Sequence, residues 1–376
     1  MYTRGNQILD AANRPFRVKS ITWYGAAGTF HVPEGLMTRS FKSIIDQIAT
    51  LGFNTIRIPF GGAFSSSTLA ATSVNTSLNP ELAGLNAWQV MDKIIQYAAT
   101  KNLFVILNYN NASDGGNPDG GPAAGAGVTN WQSVWLTMAA RYESQSNVIG
   151  ADLYTEPVNY NWTNWAALAE QCGNAIHTVA PNWLIFVEGV RGAGSDQYSD
   201  GGNLKGVATR PIVLSRSQRV VYSPHDFGQT INQFSWLQRP GNVVANYPNN
   251  LYSIFSQNWG YIYEQGIAPV VVGEFGAAFG VNADGVSATP WSTFKDDEIA
   301  WFDALVKYMN GYFDGSSTRF IPEGRPGIGW SYFCLNPNAT YPLGLVKINW
   351  IDAHAVKLTH LDPLINDGEN FVPSYP

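Results

Sequence analysis

The sequence predicts an α/β fold, a (β/α)8 or TIM barrel with long loops on its carboxyl-terminal face. Short apolar runs recur along the whole chain, and helical patterns lie between several of them. The chain has 376 residues, a length that such barrels reach as one unit with insertions, so we expect residues 1–376 to form a single domain. An open doubly wound sheet is the alternative, but no glycine-rich phosphate-binding motif follows the first predicted strand.

Eight apolar runs are the predicted strands. Strands and helices that alternate at this spacing are typical of repeated crossover units, and eight such units close a barrel. In chain order the runs are Phe16–Trp23, Thr55–Pro59, Leu103–Leu107, Val148–Leu153, Leu184–Val187, Arg219–Tyr222, Pro269–Val272 and Ile328–Phe333.

The clearest helical patterns lie between the first and second strands and between the second and third. In both, apolar residues recur at the offsets of one helix face. The first pattern contains Phe41, Ile44, Ile45, Ile48 and Leu51 and ends at Gly52, and the second contains Val90, Ile94, Ile95 and Ala98.

Long, irregular segments follow the predicted strands, and on this fold such loops build the catalytic face. Residues Ser113–Gly127 contain Gly, Asp, Pro and Ala without periodicity. This segment is either a flap over a cleft or a solvated insertion. If it is a flap, we expect Asp114, Asn117 or Asp119 to approach the cleft.

The composition favours a neutral partner. Charged residues are 13% of the chain and the net charge is −6, so the basic face that binds nucleic acid or an anionic membrane is not expected. Aromatic residues also reach 13%, and many of the 13 Trp and 18 Tyr lie beside Gly, Asn or Pro in predicted loops. Such rings suit flat, weakly charged ligands, so we expect a carbohydrate partner.

The cysteines, the histidines and the lengths of the apolar runs argue against a disulfide, a metal site and a membrane span. Cys172 lies on an apolar helical stripe and Cys334 in an apolar run, so both are predicted core thiols rather than a disulfide. The five His residues are scattered, and neither a metal site nor a cofactor is predicted. No apolar stretch has the length of a membrane span, and the amino terminus lacks a signal peptide. We expect a secreted monomer whose signal peptide has been removed.

Two glutamates at the ends of apolar runs carry the functional prediction. Ala151–Pro157 contains Glu156, and Ala268–Gly276 contains Glu274. In a barrel of parallel strands, active sites form at the carboxyl ends of the strands. A retaining glycosidase needs two facing carboxyl groups there, one protonated and one ionised, at a separation of about 5 to 5.5 Å.

Joined to their neighbours, these segments resemble the cellulase-type members of glycoside hydrolase family 5. In that family the fourth strand ends in an Asn-Glu-Pro motif and the seventh in a motif like Gly-Glu-Phe-Gly; here these are Thr155–Pro157 and Gly273–Gly276. The resemblance implies a retaining β-glycosidase that acts on a β-linked glucan or a related glycoside. It extends from about Lys19 to Asn349 and includes Gly52–Pro59, Val148–Leu153, Leu184–Gly189, Val221–Asp226 and Trp330–Tyr332.

The resemblance also implies roles for single residues. Glu156 would be the general acid and base, and Glu274 the nucleophile. Arg57 would keep Glu274 ionised, because a neighbouring cation lowers the pKa of a carboxyl group. His225 would orient Glu156 and the bound sugar, and Trp330 would form the platform under the sugar at the cleavage point. Three of these residues also have a purely structural alternative. Arg57 would pair with a buried acid, His225 would be a turn residue, and Trp330 would be a core residue.

Three positions depart from the family pattern. Thr155 replaces an Asn that binds the sugar 2-hydroxyl, Asn110 replaces a His after the third strand, and Phe227 replaces a Tyr whose hydroxyl contacts the catalytic carboxylates. Either the sugar site is rebuilt for another sugar or linkage, or the cleft has lost catalysis and only binds carbohydrate. We favour the first interpretation, because Arg57 and both glutamates are retained and a binding cleft does not need a matched carboxylate pair.

Overall fold

Eight parallel strands form the predicted barrel in a computed structural model that describes residues 1–337 and 341–368. Two further strands, β1 (Tyr2–Arg4) and β2 (Gln7–Leu9), form a hairpin near the amino terminus. Each barrel strand overlaps one predicted run, so the strand prediction is confirmed. The barrel strands are β3 (Lys19–Thr22), β4 (Thr55–Gly61), β5 (Phe104–Asn111), β6 (Val148–Asp152), β7 (Leu184–Val187), β8 (Val220–Tyr222), β9 (Val271–Phe275) and β10 (Gly329–Tyr332).

The strand order closes the sheet on itself. Neighbouring strands are parallel in the order β8-β7-β6-β5-β4-β3-β10-β9. The two end strands meet through bridges between Tyr222 and Val270 and between His225 and Glu274. The doubly wound alternative is therefore excluded, because its sheet stays open. All eight carboxyl ends gather at one mouth of the barrel.

Helices link the barrel strands. Ser40 begins the first helix by accepting a hydrogen bond from the N–H of Ser43, and Asn86 and Gln89 form a capping box at the second. Both helices bury the predicted apolar face, which confirms the helical patterns. The helices are α1 (Phe41–Thr50), α2 (Ala87–Thr100), α3 (Ala126–Tyr142), α4 (Trp162–His177), α5 (Asn250–Phe255), α6 (Tyr261–Glu264), α7 (Lys295–Met309) and α8 (Ala355–Ile365).

An apolar floor fills the end of the barrel opposite the mouth. Ile8 of the β1–β2 hairpin packs into it, so the hairpin covers this opening. The hairpin is missing from the predicted elements because its strands have three residues each, although the Gly5–Asn6 pair between them is a hairpin-turn signal. The floor residues are Ile8, Phe16, Val18, Phe104, Ile106, Ile149, Leu184, Phe186, Val221 and Val271.

Two smaller predictions concern thiols and membrane spans. Cys172 and Cys334 are buried and free, so their prediction as core thiols is confirmed. Within residues 1–337 and 341–368, no helix combines the length and apolar character that a membrane span requires.

Candidate active site

A cluster of buried charges lies at the mouth of the barrel, with Arg57 of β4 at its centre. The Nε of Arg57 donates to Asp152 Oδ2 at 2.8 Å, Nη1 donates to Glu274 Oε1 at 2.5 Å, and Nη2 donates to Glu188 Oε1 at 3.0 Å. Burial disfavours the charge of Arg57, but the three carboxylates more than offset this effect, so the pKa of Arg57 is raised. We name the following six residues the mouth cluster: Arg57, Asp152, Glu156, Glu188, His225 and Glu274.

Three carboxyl groups of the mouth cluster are buried strongly enough to change their titration. Burial raises the pKa of Asp152, and the charge of Glu188 raises it further against the effect of Arg57. Burial also raises the pKa of Glu188 and of Glu274, although the charges of His225 and Arg57 oppose it. Perturbed carboxyl groups of this kind are typical of catalytic sites, where ionisable groups are held away from water.

Glu156 is the most exposed member of the mouth cluster, with 20% of its side chain accessible. It follows β6 in the left-handed backbone region, at φ 51°, which is uncommon for a residue with a Cβ. Its N–H donates to Glu188 Oε2 at 2.7 Å, and its Oε1 accepts from His225 Nδ1 at 3.1 Å. Backbone and side chain of Glu156 are thus held separately, with the carboxyl group at the wall of a cavity.

Glu274 lies opposite Glu156, near the end of β9. Carboxyl oxygens of the two residues lie within 4.8 Å of each other. This closest approach agrees with the retaining geometry of about 5 to 5.5 Å and lies below the inverting range of about 6.5 to 9.5 Å. Arg57 holds Oε1 of Glu274, whereas Oε2 is 3.7 Å from His225 Nδ1. One oxygen of Glu274 is therefore left to face a substrate.

His225 lies beneath both glutamates rather than in the cavity, and its side chain is completely buried. Its Nε2 is 3.2 Å from Glu188 Oε1, a contact too poorly aligned for a hydrogen bond. Burial lowers the pKa of His225, but the charges of Glu188 and Glu274 outweigh burial, and the pKa is raised well above its ordinary value. The structure thus supports an orienting contact to Glu156 but gives His225 no surface for a direct contact with sugar.

Glu188 is a mouth-cluster residue that the sequence prediction missed. It is fully buried and follows β7 directly. The signal was present, because Leu184–Glu188 is a third apolar run that stops at a glutamate, like those before Glu156 and Glu274. Asp152, at the end of β6, carries a weaker form of the same signal.

A cavity of about 560 Å³ opens above Glu156 and Glu274. Its wall comes from the carboxyl-terminal halves of seven of the eight barrel strands or from the loops that follow them, as expected for this fold. Asn110 and Phe227, two of the predicted substrate-binding residues, lie in this wall. The lining also includes Tyr24, Gly25, Glu34, Pro59, Asn117, Pro118, Ile231, Phe333, Tyr341 and Leu343.

The prediction that Trp330 forms the sugar platform is wrong. Its side chain is fully buried and packs edge-on against Phe53 and Phe275, in the layer between the barrel and the helices. Side chains alternate along a strand, so the odd-numbered positions of β10 face inward instead. Phe333, three residues later, lines the cavity and stacks at 6.0 Å on Tyr24.

Thr155 is also placed differently from its prediction as a sugar contact. It is 1% exposed and is absent from the cavity wall. Its hydroxyl donates to Asn108 Oδ1 at 2.9 Å, inside the barrel. Thr155 therefore does not replace the sugar contact of the family's Asn with a contact of its own. The contact to the sugar is lost at this position.

The Ser113–Gly127 loop reaches the cavity through Gly115, Gly116, Asn117 and Pro118. Its position is fixed by hydrogen bonds from Asn110 Nδ2 to the Gly116 carbonyl at 2.8 Å and from the Gly116 N–H to the Ala27 carbonyl at 3.2 Å. Asp119 accepts from the Tyr154 hydroxyl at 2.6 Å. Of the three polar residues predicted to approach the cleft, Asn117 lies at the wall, Asp119 anchors the loop, and Asp114 lies 3.2 Å from His31 Nε2 outside the cavity lining.

Glu156, His225 and Glu274 have the spacing of a metal site, because one ligand atom of each lies within 4.8 Å of the others. Two observations favour an acid–base pair instead. His225 already donates to Glu156, and the guanidinium of Arg57 occupies one oxygen of Glu274. The guanidinium charge of Arg57 already compensates the carboxylate charge that would attract a metal ion.

Comparison with known proteins shows which family this chain belongs to. Residues 9–339 match the family model described as cellulase (glycosyl hydrolase family 5). The chain belongs to glycoside hydrolase family 5. It is therefore a glycoside hydrolase acting on O-glycosyl bonds, and an inactive binding protein is not favoured.

Two curated relatives and two solved structures show how far the similarity extends. An endoglucanase of Paenibacillus polymyxa is 36% identical over 359 residues, covering 93% of this chain and 83% of the relative. The major extracellular endoglucanase of Xanthomonas campestris is 28% identical over 378 residues, covering 98% and 71%. The catalytic domain of the Xanthomonas enzyme superposes with a TM-score of 0.81 at 28% identity, covering 97% of this chain and 99% of that chain. An endocellulase of Pyrococcus horikoshii in complex with cellotetraose gives 0.82 at 27%, covering 97% and 98%.

Proposed function

We propose that this family 5 enzyme cleaves a β-linked glucan with retention of configuration, using Glu274 as the nucleophile and Glu156 as the general acid and base. The observation that carries the proposal is the pair of carboxyl groups within 4.8 Å of each other at the wall of one cavity. Arg57 supports these roles because one of its three side-chain hydrogen bonds goes to Glu274, whereas none of the three goes to Glu156.

The first step forms a covalent bond between enzyme and sugar. Oε2 of Glu274 attacks the anomeric carbon while the bond from that carbon to the glycosidic oxygen breaks. The proton of Glu156 passes to the leaving oxygen, so the aglycone departs as a neutral alcohol. Arg57 stabilises the carboxylate before attack and the departing charge when the intermediate breaks down.

The second step returns the enzyme to its first state. Glu156, now a carboxylate, takes a proton from a water molecule whose oxygen attacks the anomeric carbon. The bond to Glu274 breaks, and the sugar leaves with the configuration that it had at the start. Two inversions at one carbon are the reason for net retention.

The relatives and the cavity wall support a glucan substrate. The curated relatives are endoglucanases, and the Pyrococcus endocellulase was solved with cellotetraose. The rings of Tyr24, Phe227 and Phe333 and the amide of Asn110 line the cavity, a combination that suits sugar faces and hydroxyls. Because Thr155, Asn110 and Phe227 depart from the family pattern, we infer a sugar site altered from that of typical cellulases.

The setting of the enzyme is part of the proposal. A relative is named as a major extracellular endoglucanase, which supports secretion of this enzyme. We also infer that residues 1–376 form one catalytic domain that acts as a monomer, without cofactor, metal or nucleic acid. The continuous barrel supports the single domain, and the aromatic and amide groups of the cavity support a carbohydrate partner.

The test is a screen of β-glucans and aryl β-glycosides with the wild type beside Glu274→Ala. We expect the wild type to hydrolyse at least one substrate, to release the β-anomer first by NMR, and to lose this activity in Glu274→Ala with the fold retained by circular dichroism. Equal hydrolysis by both proteins, or wild-type binding without hydrolysis, would contradict the proposal.

A further inference from the structure

The third glutamate of the mouth, Glu188, contacts Glu156 directly and is linked to Glu274 through Arg57, without facing the cavity. Its Oε2 accepts the backbone N–H of Glu156 at 2.7 Å. Its Oε1 accepts from Arg57 Nη2 at 3.0 Å and lies 3.2 Å from His225 Nε2. Glu188 is completely buried and absent from the cavity wall, so it cannot itself touch the substrate.

The hydrogen bond to the Glu156 N–H matters because of the backbone at that residue. Glu156 has φ 51°, a left-handed conformation that residues with a Cβ adopt only when the surroundings impose it. The N–H of Glu156 donates to Glu188, and the chain then turns at Pro157, where the Val158 N–H donates to the Glu156 carbonyl at 2.7 Å. The direction of the Glu156 side chain therefore depends on the contact with Glu188.

The carboxylate of Glu188 is itself held tightly. Gly201 passes over it at φ 73°, and a Cβ at this position would lie 2.9 Å from Glu188 Oε2 and 3.2 Å from the His225 ring. The Gly201 carbonyl accepts from the Gly189 N–H at 2.7 Å. Loop, carboxylate and imidazole thus form one packed unit beneath Glu156.

We propose that Glu188 is a positioning residue that aims the general acid. Its carboxylate holds the backbone N–H of Glu156 by a hydrogen bond, and its charge contact with His225 fixes the imidazole that bonds to the Glu156 carboxyl group. This inference rests on the proposed function, because it assumes that Glu156 donates the proton. When Glu188 is changed, Arg57 keeps its contacts with Asp152 and Glu274. The position of the nucleophile Glu274 should therefore change less than that of Glu156.

Glu298 offers a matched control elsewhere in the chain. It is also fully buried, and its carboxylate accepts the N–H groups of Thr230 at 2.8 Å and Phe279 at 3.0 Å. Phe279 is left-handed as well, at φ 55°. Glu298 thus accepts the N–H of a left-handed residue, as Glu188 does. It lies at a place that contains neither proposed catalytic glutamate.

The test compares Glu188→Gln with Glu298→Gln on two aryl β-cellobiosides. An amide has one acceptor oxygen where Glu188 uses two, so Gln cannot serve both the Glu156 N–H and the Arg57–His225 side. The phenyl glycoside needs a proton on its leaving group, whereas the dinitrophenyl glycoside does not. The value of kcat/KM reports the first chemical step for both substrates.

We expect Glu188→Gln to lose about 100-fold in kcat/KM on the phenyl glycoside, as displaced catalytic groups do, and to keep nearly wild-type kcat/KM on the dinitrophenyl glycoside. Glu298→Gln should show the same ratio between the substrates as the wild type. Equal losses on both substrates by Glu188→Gln would overturn the inference, since a structural defect does not distinguish leaving groups.

Glu188→Asp keeps the test decisive if the Gln variant does not fold. It retains the charge near Arg57 and His225 but shortens the side chain by one methylene, which withdraws the oxygen from the Glu156 N–H. A selective loss on the phenyl glycoside supports the inference, and a wild-type ratio overturns it. Glu156→Ala, assayed in parallel, separates the two proposals. If Glu156→Ala keeps full activity on the phenyl glycoside, Glu156 is not the general acid and the proposed function itself is wrong.

Discussion

The floor and the mouth of this barrel are built by the same strands and differ in what their inward positions carry. On β7 every second residue points inward, and the sequence runs Leu184, Phe186, then Glu188 just beyond the strand. On β5 the inward series is Phe104 and Ile106 at the floor, then Asn108 nearer the mouth. The change from apolar to polar along one face of one strand marks where stabilisation ends and the catalytic machinery begins.

This difference has an energetic meaning. The floor removes apolar area from water, which stabilises the fold by about 25 cal/mol per Å². The mouth buries charges, and even paired charges pay a desolvation penalty that their attraction offsets only with good geometry. Mutations at the floor should therefore change stability, and mutations at the mouth should change stability and activity in ways that depend on pH.

The largest effect is expected from Arg57→Ala. It leaves Asp152, Glu188 and Glu274 buried without their shared cation, which should destabilise the protein by about 3 to 5 kcal/mol at neutral pH. The loss should shrink in acid, because protonated carboxyl groups no longer need a partner. Urea unfolding at several pH values measures this effect. A loss that is small, or that does not vary with pH, would contradict the described network.

Ile106→Ala tests the floor. Its loss of stability should be comparable to that of Arg57→Ala, but no charge is removed. Removing this buried side chain should cost about 2 to 5 kcal/mol, at any pH at which the protein is folded. The kcat of the folded fraction should stay near that of the wild type. Urea unfolding and an assay on the same samples test this, and a loss of kcat larger than the loss of folded protein would show that floor and mouth are coupled.

The pH dependence of stability separates the two regions further. The pKa of Asp152 is raised by burial, so between the ordinary value of about 4 and the raised value the folded state binds more protons than the unfolded state. Stability must then fall as pH rises through this window, by about 1.4 kcal/mol for each pKa unit of the shift. Asp152→Asn should flatten this slope in unfolding experiments. An unchanged slope would remove Asp152 as its source.

The smallest effect is expected at the cavity wall. Asn110→His restores the family residue but removes the hydrogen bond to the Gly116 carbonyl, worth about 0.5 to 1.5 kcal/mol. Because Gly116 and its neighbours line the cavity, the change should appear mainly as a higher KM on the best substrate, with little change in melting temperature. A gain in activity on soluble cellulose would instead favour decay over altered specificity as the origin of Asn110.

Strand periodicity explains which parts of the site the sequence could predict. The eight strands, Glu156, Glu274 and Arg57 follow from apolar runs and from motifs at their ends, which are local signals. The prediction for Trp330 was wrong because the position of a residue in a motif does not report which way its side chain points: Trp330 is buried against Phe53 and Phe275, whereas Phe333 lines the cavity. The placement of Thr155 depends on Asn108, on the neighbouring strand. No local pattern reports such a contact.

The most direct test of the central claim is to trap the glycosyl-enzyme intermediate. A 2-fluoro cellobioside with a dinitrophenol leaving group reacts in the first step and stalls in the second, because fluorine destabilises both transition states while the good leaving group rescues only the first. We expect mass spectrometry to find the sugar attached to the peptide that contains Glu274, and Glu274→Ala to take no label. Hydrolysis without any covalent adduct, or an adduct on a residue other than Glu274, would contradict it.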